Sequence, residues 1–263
     1  MDHRSRLLPL VVLAVAFAAA PAAAQPGLNP THYWSYHVLN PAFSQDTVYV
    51  GDQFVPQVPL SPLRLDRLLT PTWKTHGGVV HAPSDTVTHY DWWDVPNMPV
   101  TRTVIIDNQF DQNLTIPVYE LDFLLVPTQK SLTPQPLPVI TDKNHYLCYR
   151  VQGSSPGMTV ILRDQFHQQG QLVASLTYLC NPCQKRHGGQ IYPVVDPQTH
   201  LALYRLEIPE FGPVTAWLTD QFVSNWQTGL RQIPDEYLAV PTIKHEATSI
   251  QERSWGRIKS TYR

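Results

Sequence analysis

From residue 31 onward the chain alternates apolar and polar positions in short runs, and the same runs return four times. His32 to Val38 sets an aromatic or aliphatic side chain at every second place, and His89–Val95, His145–Val151 and His200–Leu206 repeat the pattern. Alternation with period two is that of a β-strand with one buried face. Four residues after each histidine stands an aromatic (Tyr36, Trp93, Tyr149, Tyr204). The residue after that is polar in every copy: His37, Asp94, Arg150 and Arg205. A second strand follows, TVYVGDQF at 47–54, TVIIDNQF at 103–110, TVILRDQF at 159–166 and TAWLTDQF at 215–222. Its leading threonines are 56 residues apart each time. A third landmark, Leu-x-x-Pro-x-x-Lys, ends each unit at Lys74, Lys130, Lys185 and Lys244.

Three landmarks in one order, four times over, predict an all-β fold of four tandem repeats. A unit of this length buries too little surface to stand alone, so neighbouring copies must share cores. Copies one and three add Lys-x-His-Gly-Gly (Lys74–Gly78, Lys185–Gly189), which copies two and four lack. That alternation favours two β-sandwich or barrel-like domains of two copies each, 25–143 and 144–247. The alternative is a single four-bladed toroid.

Composition removes some classes of function. The formal net charge is −2, and 43% of residues are hydrophobic. Near-neutrality gives no electrostatic reason to expect nucleic acid or an anionic membrane as partner, and the apolar content excludes wholesale disorder. The 25 prolines, with no long helical periodicity, agree with short strands and turns. Residues 1–24 read as a secretory signal peptide: Arg4 and Arg6, an apolar run from Leu7 to Ala20, then Ala22-Ala23-Ala24. The expected location is therefore secreted or periplasmic, with no transmembrane segment in the mature chain. Residues 248–263 form a basic tail carrying Arg253, Arg257, Lys259 and Arg263.

Copy three, with HYLCYRV at 145–151, TVILRDQF at 159–166 and LCNPCQK at 179–185, resembles a domain family of unknown function found in exported bacterial proteins, often as tandem copies. The resemblance spans roughly residues 31–244. Copies one, two and four lack both cysteines of the pattern, and none has glycine after the phenylalanine. The resemblance implies a repeat and an exported location, and it brings no activity with it.

The cysteines are Cys148, Cys180 and Cys183. Cys148 aligns with Ser35, Trp92 and Leu203, and Cys180 with Leu69, Leu125 and Ala239. Copy three alone has cysteine at both places, which predicts a Cys148–Cys180 disulfide with Cys183 free, permissible in an exported chain. The rival is a redox C-x-x-C between Cys180 and Cys183, which needs a helix N-terminus that this strand-and-turn segment does not offer.

Candidate chemistry is weighed against packing. His32, His89, His145 and His200 lack any local chelating pair, so no metal is assigned. Asp52, Asn108, Asp164 and Asp220 exchange acid for amide, which points to a hydrogen-bonded Asx turn rather than acid–base catalysis. Phe54, Phe110, Phe166 and Phe222 read as core, and the four lysines as partners of the corner acids. Departures from the repeat are the better pointers. Asp91-Trp92-Trp93 in copy two combines a carboxylate with two indoles, as many sugar sites do. No nucleophile elbow, metalloprotease motif or phosphate-binding glycine loop is present. The expected function is that of an exported, non-catalytic β-repeat protein without a cofactor, structural or binding an envelope or extracellular protein or glycan. A carbohydrate or small-ligand binder is the second reading, and a hydrolase or metal-dependent enzyme the third.

Overall fold

The computed structural model describes residues 31–61 and 63–246; the segment expected to be a signal peptide and the basic tail lie outside them. Copy one holds β1 (His32–Val38), β2 (Phe43–Ser44), β3 (Val48–Gly51), β4 (Val58–Leu60), β5 (Leu63–His76) and β6 (Val79–His81). Copy two is drawn into two long strands, β7 (His89–Asp107) and β8 (Leu114–Ser131). Copy three holds β9 (His145–Val151), β10 (Met158–Arg163), β11 (Gln168–His187) and β12 (Gln190–Tyr192). Copy four holds β13 (His200–Glu207), β14 (Phe211–Thr219), β15 (Trp226–Gln232) and β16 (Tyr237–Glu246). The chain is all-β, as its alternation predicts.

Each copy gives two strands to a closed antiparallel ring, β1-β5-β7-β8-β9-β11-β13-β16 and back to β1. The four copies use one register. His32 faces Thr72, His89 faces Thr128, His145 faces Cys183 and His200 faces Thr242. Pairing continues through the junction near 142–144, where β8 meets β9, and β16 returns to β1. Pairing through both junctions gives one continuous ring of strands shared by all four copies. A closed ring leaves none of these eight strands with a free edge at its centre.

Alternation sends side chains to two cores. Inside the ring lie Tyr33, Leu69, Tyr90, Trp92, Phe123, Leu125, Tyr146, Cys148, Cys180 and their neighbours. Outside it lies the larger cluster, built on Trp34, Tyr36, Trp93, Tyr149, Tyr204 and the aliphatic residues of the Asp-Gln-Phe strands. Those strands cover the outer face by pairing with the diagonal copy. Val50 faces Lys185, Ile106 faces Lys244, Leu162 faces Lys74 and Leu218 faces Lys130. The Cys148–Cys180 disulfide forms inside the ring between directly opposed residues of β9 and β11, and Cys183 is a buried free thiol. In copies one and three the Gly-Gly pairs turn the chain into β6 and β12. Gly77, Gly78, Gly188 and Gly189 all have positive φ, which glycine adopts without a Cβ penalty.

Candidate functional site

The recurring polar residues are the first candidates, and the fold shows what each one holds. At every corner the Asx Oδ1 accepts the backbone N–H groups two and three residues on. Asp52 takes Phe54 at 2.8 Å and Val55 at 3.0 Å, and Asn108 takes Phe110 at 2.8 Å and Asp111 at 3.1 Å. Asp164 and Asp220 do the same. This is the Asx turn that the acid–amide exchange predicts. The second side-chain atom reaches the diagonal copy. Tyr149 Oη and Asn181 Nδ2 donate to Asp52, each at 2.9 Å, and Tyr36 Oη and Thr70 Oγ1 donate to Asp164, each at 2.7 Å. Trp93 Nε1 donates to Asp220 at 2.7 Å, and Asn108 Nδ2 donates to Tyr204 Oη at 2.9 Å.

The rest of the motif binds the preceding copy. Each phenylalanine lies edge-on to the diagonal aromatic, with centroids 4.9–5.1 Å apart, and beneath a lysine ammonium on its other side. The ammonium of Lys74 is 4.5 Å from the Phe110 ring, Lys130 is 4.4 Å from Phe166, Lys185 is 4.4 Å from Phe222 and Lys244 is 4.2 Å from Phe54. Lys74, Lys185 and Lys244 also donate to Gln109, Gln221 and Gln53 of the same corners. The lysines thus meet the motif's glutamine and phenylalanine rather than pairing with its acid. Gln165 donates to His89 Nε2 at 3.1 Å while His89 Nδ1 donates to the Val87 carbonyl at 2.8 Å, which fixes a neutral tautomer. His145 Nε2 donates to Gln221 at 3.2 Å.

Burial sets the protonation of this lattice. Desolvation pulls Lys74 and Lys185 down to about 7 and Lys130 to about 8. It pushes His89 down to about 3 and His200 to about 4, and His145 well below its ordinary range. Perturbed values of this kind mark functional sites only when the groups line a cleft. Lys74, Lys185 and His145 have no exposed surface, and the histidines stand apart at four places on the ring. Among the described residues no group of three or more His, Cys, Asp or Glu is placed to hold a metal ion.

The copy-two departure is buried as well. Trp93 is 0% exposed on the outer face of the ring beside Phe222, and Asp91 is 0% exposed on the same face. Trp92, 3% exposed, points inward and stacks on Phe123. The structure therefore does not gather the three into one open site, because consecutive strand residues face opposite ways.

One end of the ring carries the polar position that differs between copies. His37, Asp94, Arg150 and Arg205 sit opposite Arg67, Phe123, Tyr178 and Tyr237 in the four equivalent strand pairs. Arg64 bridges Asp66 at 2.7 Å and Asp94 at 2.9 Å, Arg150 bridges Asp122 and Glu120, and Arg205 meets Asp235 at 2.8 Å. Below this rim Arg67 lies over the rings of Trp92 and Tyr237, 5.0 and 5.4 Å from their centres. The result is a charged mouth on an aromatic floor.

Glu236 closes that mouth where the first and last strands meet. It accepts from Ser35 Oγ and from the His37 N–H at 3.1 Å, and it lies 3.5 Å from Arg67 Nε. Burial raises its carboxyl to about 7, with Arg67 and the donors pulling the other way. A folded value above the ordinary 4.5 means that the native state holds this proton more tightly. Stability from Glu236 is therefore complete at acid pH and is lost as pH rises through about 7. Glu236→Gln removes the titration. Its stability relative to wild type should climb between about pH 5 and pH 8, at up to about 1.4 kcal/mol per pH unit. Urea denaturation of both proteins across that range checks this, and parallel pH profiles would refute it.

At the other end a shallow depression of about 460 Å³ lies between the copy-to-copy linkers, lined by Ser84–Thr88, Gln129, Ile140, Asp142 and Lys143. Its Asp85 accepts from the Val87 and Thr88 N–H groups and from Thr88 Oγ1, and pairs with Lys143 at 3.0 Å. Although burial works to raise its carboxyl, these donors hold it well below the usual range. That charge is spent on the turn.

A ring of four interlocked β-repeats, its recurring polar residues buried between copies on the outer face, defines the class of protein. The particular family is a repeat of unknown function, DUF7450, which matches residues 89–241, more than half of the chain, and the chain belongs to it. No curated protein and no solved structure matches the chain.

Sequence reasoning missed the Glu236 seam. A signal was present: two residues before the third-landmark leucine stand Asp66, Asp122 and Glu236, acids in three copies of four.

Proposed function

We propose that the chain works outside the cytoplasm as a non-catalytic β-repeat scaffold that binds an envelope or extracellular partner, protein or glycan. One observation carries this reading: the corner Asx, the phenylalanine, the lysine and the aromatic, which recur in all four copies, are spent on copy-to-copy contacts. What a partner can read must then lie at positions that differ between copies. The charged mouth is such a place, with arginines and carboxylates at its rim and Trp92, Tyr178 and Tyr237 beneath. Its mixed charge suits a polar partner and gives no preference for a polyanion.

The test compares two proteins on a matrix, the wild-type mature chain and the Arg150→Glu/Arg205→Glu variant, each exposed to envelope and secreted fractions and to a glycan array. The reading expects a ligand retained by wild type and lost by the folded variant. Retention by both would move recognition away from the mouth, and no retained ligand in any arm would count against a binding role.

A further inference from the structure

Three of the four corners are met from the diagonal copy by two polar side chains. Asp52 has Tyr149 and Asn181, Asp164 has Tyr36 and Thr70, and Asn108 has Tyr204 and Thr242. Asp220 has one such partner in Trp93. The strand position that supplies Thr70 and Asn181 is Val126 in copy two, which has nothing to donate. Copy four has Val240 at that position, and there the corner residue is the amide Asn108 rather than an acid. Copy two meets the same shortage differently. Directly opposite Val126 stands Asp91, where the other copies carry Trp34, Leu147 and Ala202.

Asp91 is completely buried, and neither of its oxygens receives a hydrogen bond. Thr128, its other polar neighbour, accepts from the Asp91 N–H and spends its own hydroxyl hydrogen on the Val126 carbonyl. An ionised Asp91 would place a bare carboxylate in the core beside Asp220, the arrangement with the largest desolvation and repulsion cost. A protonated Asp91 has one O–H to give, and its strand face points it at Asp220, which Trp93, two residues on along that face, already meets.

We propose that Asp91 is a carboxylic acid that donates its proton to Asp220, so that two carboxyls sharing one proton latch the corner of copy four onto copy two. The negative charge stays on Asp220, where the Phe222 and Val223 N–H groups and the Trp93 indole converge. Burial and the charge of Asp220 both raise the Asp91 carboxyl well above the ordinary carboxylate range. The other titratable groups close to the pair are Lys185, whose charge favours ionised Asp220, His145, which like Lys185 bonds the adjoining Gln221, and His187, whose ring is 5.1 Å from Phe222. The latch is therefore intact at neutral pH and opens as rising pH takes the shared proton and leaves two carboxylates face to face. It is a built-in pH-sensitive contact between diagonal copies.

Infrared spectroscopy of the full mature chain tests it, in a Glu236→Gln background so that the other strongly raised carboxyl is silent. The difference spectrum between Asp91 and Asp91→Asn proteins at neutral pH should contain one carboxylic-acid carbonyl band, lost in the variant. The variant should stay folded, because its amide can donate to Asp220 as Asn181 does to Asp52. The band should also vanish on alkaline titration of the Asp91 protein. A folded Asp91→Asn protein with an unchanged spectrum would overturn the proposal. If that variant fails to fold, the Asp91 protein alone decides: a neutral-pH spectrum with no buried carboxylic-acid band overturns it.

Discussion

Phe54→Ala is expected to lower stability by about 3–5 kcal/mol, the usual cost of truncating a buried phenylalanine. The ring of Phe54 is 6% exposed, packed edge-on to Tyr149 of copy three and under the ammonium of Lys244 of copy four. Truncation removes apolar burial, an edge-to-face contact and a cation–π contact together. It also leaves the half-buried Lys244 stem against a void. The neighbouring acid behaves differently. Asp164→Asn should cost no more than about 1–2 kcal/mol, one hydrogen-bond rearrangement. Copy two already places an amide at the equivalent corner, and Asn108 bonds Tyr204 and Thr242 across the other diagonal. Urea denaturation of both variants checks the contrast. A corner acid with a catalytic or ligand-binding role would reverse it, with Asp164→Asn abolishing activity in a stable protein.

Loss of the disulfide is the second large effect. Cys148 and Cys180 are 32 residues apart in sequence and lie side by side inside the ring. Restricting a loop of that length in the unfolded chain contributes roughly 3–4 kcal/mol on the entropy model. Copy four solves the same packing problem with Leu203 and Ala239. Cys148→Leu/Cys180→Ala should therefore keep the inner core filled and lose mainly the cross-link contribution. Cys148→Ala/Cys180→Ala should lose that and a packing increment besides. Comparing denaturation midpoints of wild type with and without reductant, and of both variants, separates the two. Equal stability of wild type in both conditions would show that the bridge adds nothing.

The fold was legible where its chemistry is local. Period-two alternation marked the strands, the Asp/Asn exchange marked the corner turn, and cysteine at two aligned core positions marked the bridge. The corner's partners were not legible. Asp52 meets Tyr149 and Phe54 meets Lys244, contacts 97 and 190 residues apart, and a local pattern cannot encode which copy a strand edge will pair with. The lysines were expected opposite the acids because charge suggested it; register instead puts them over phenylalanine. Asp91-Trp92-Trp93 looked like a sugar site because composition says nothing about facing. In a strand, Trp92 must turn away from Asp91 and Trp93, and both faces of this ring are buried. Gly153 shows the same limit: a Cβ there would sit 2.5 Å from the Leu176 side chain, a constraint invisible until β11 is in place.

The recurring residues stitch four copies into one cooperative ring. Native-state hydrogen exchange of Phe54→Ala against wild type tests it most directly. Because Phe54 joins copy one to copies three and four, the slowest-exchanging amides of β1, β7, β9 and β13 should all lose protection by the same factor. Protection lost in copies one and two alone, with β9 and β13 unchanged, would contradict the ring and restore two independent halves.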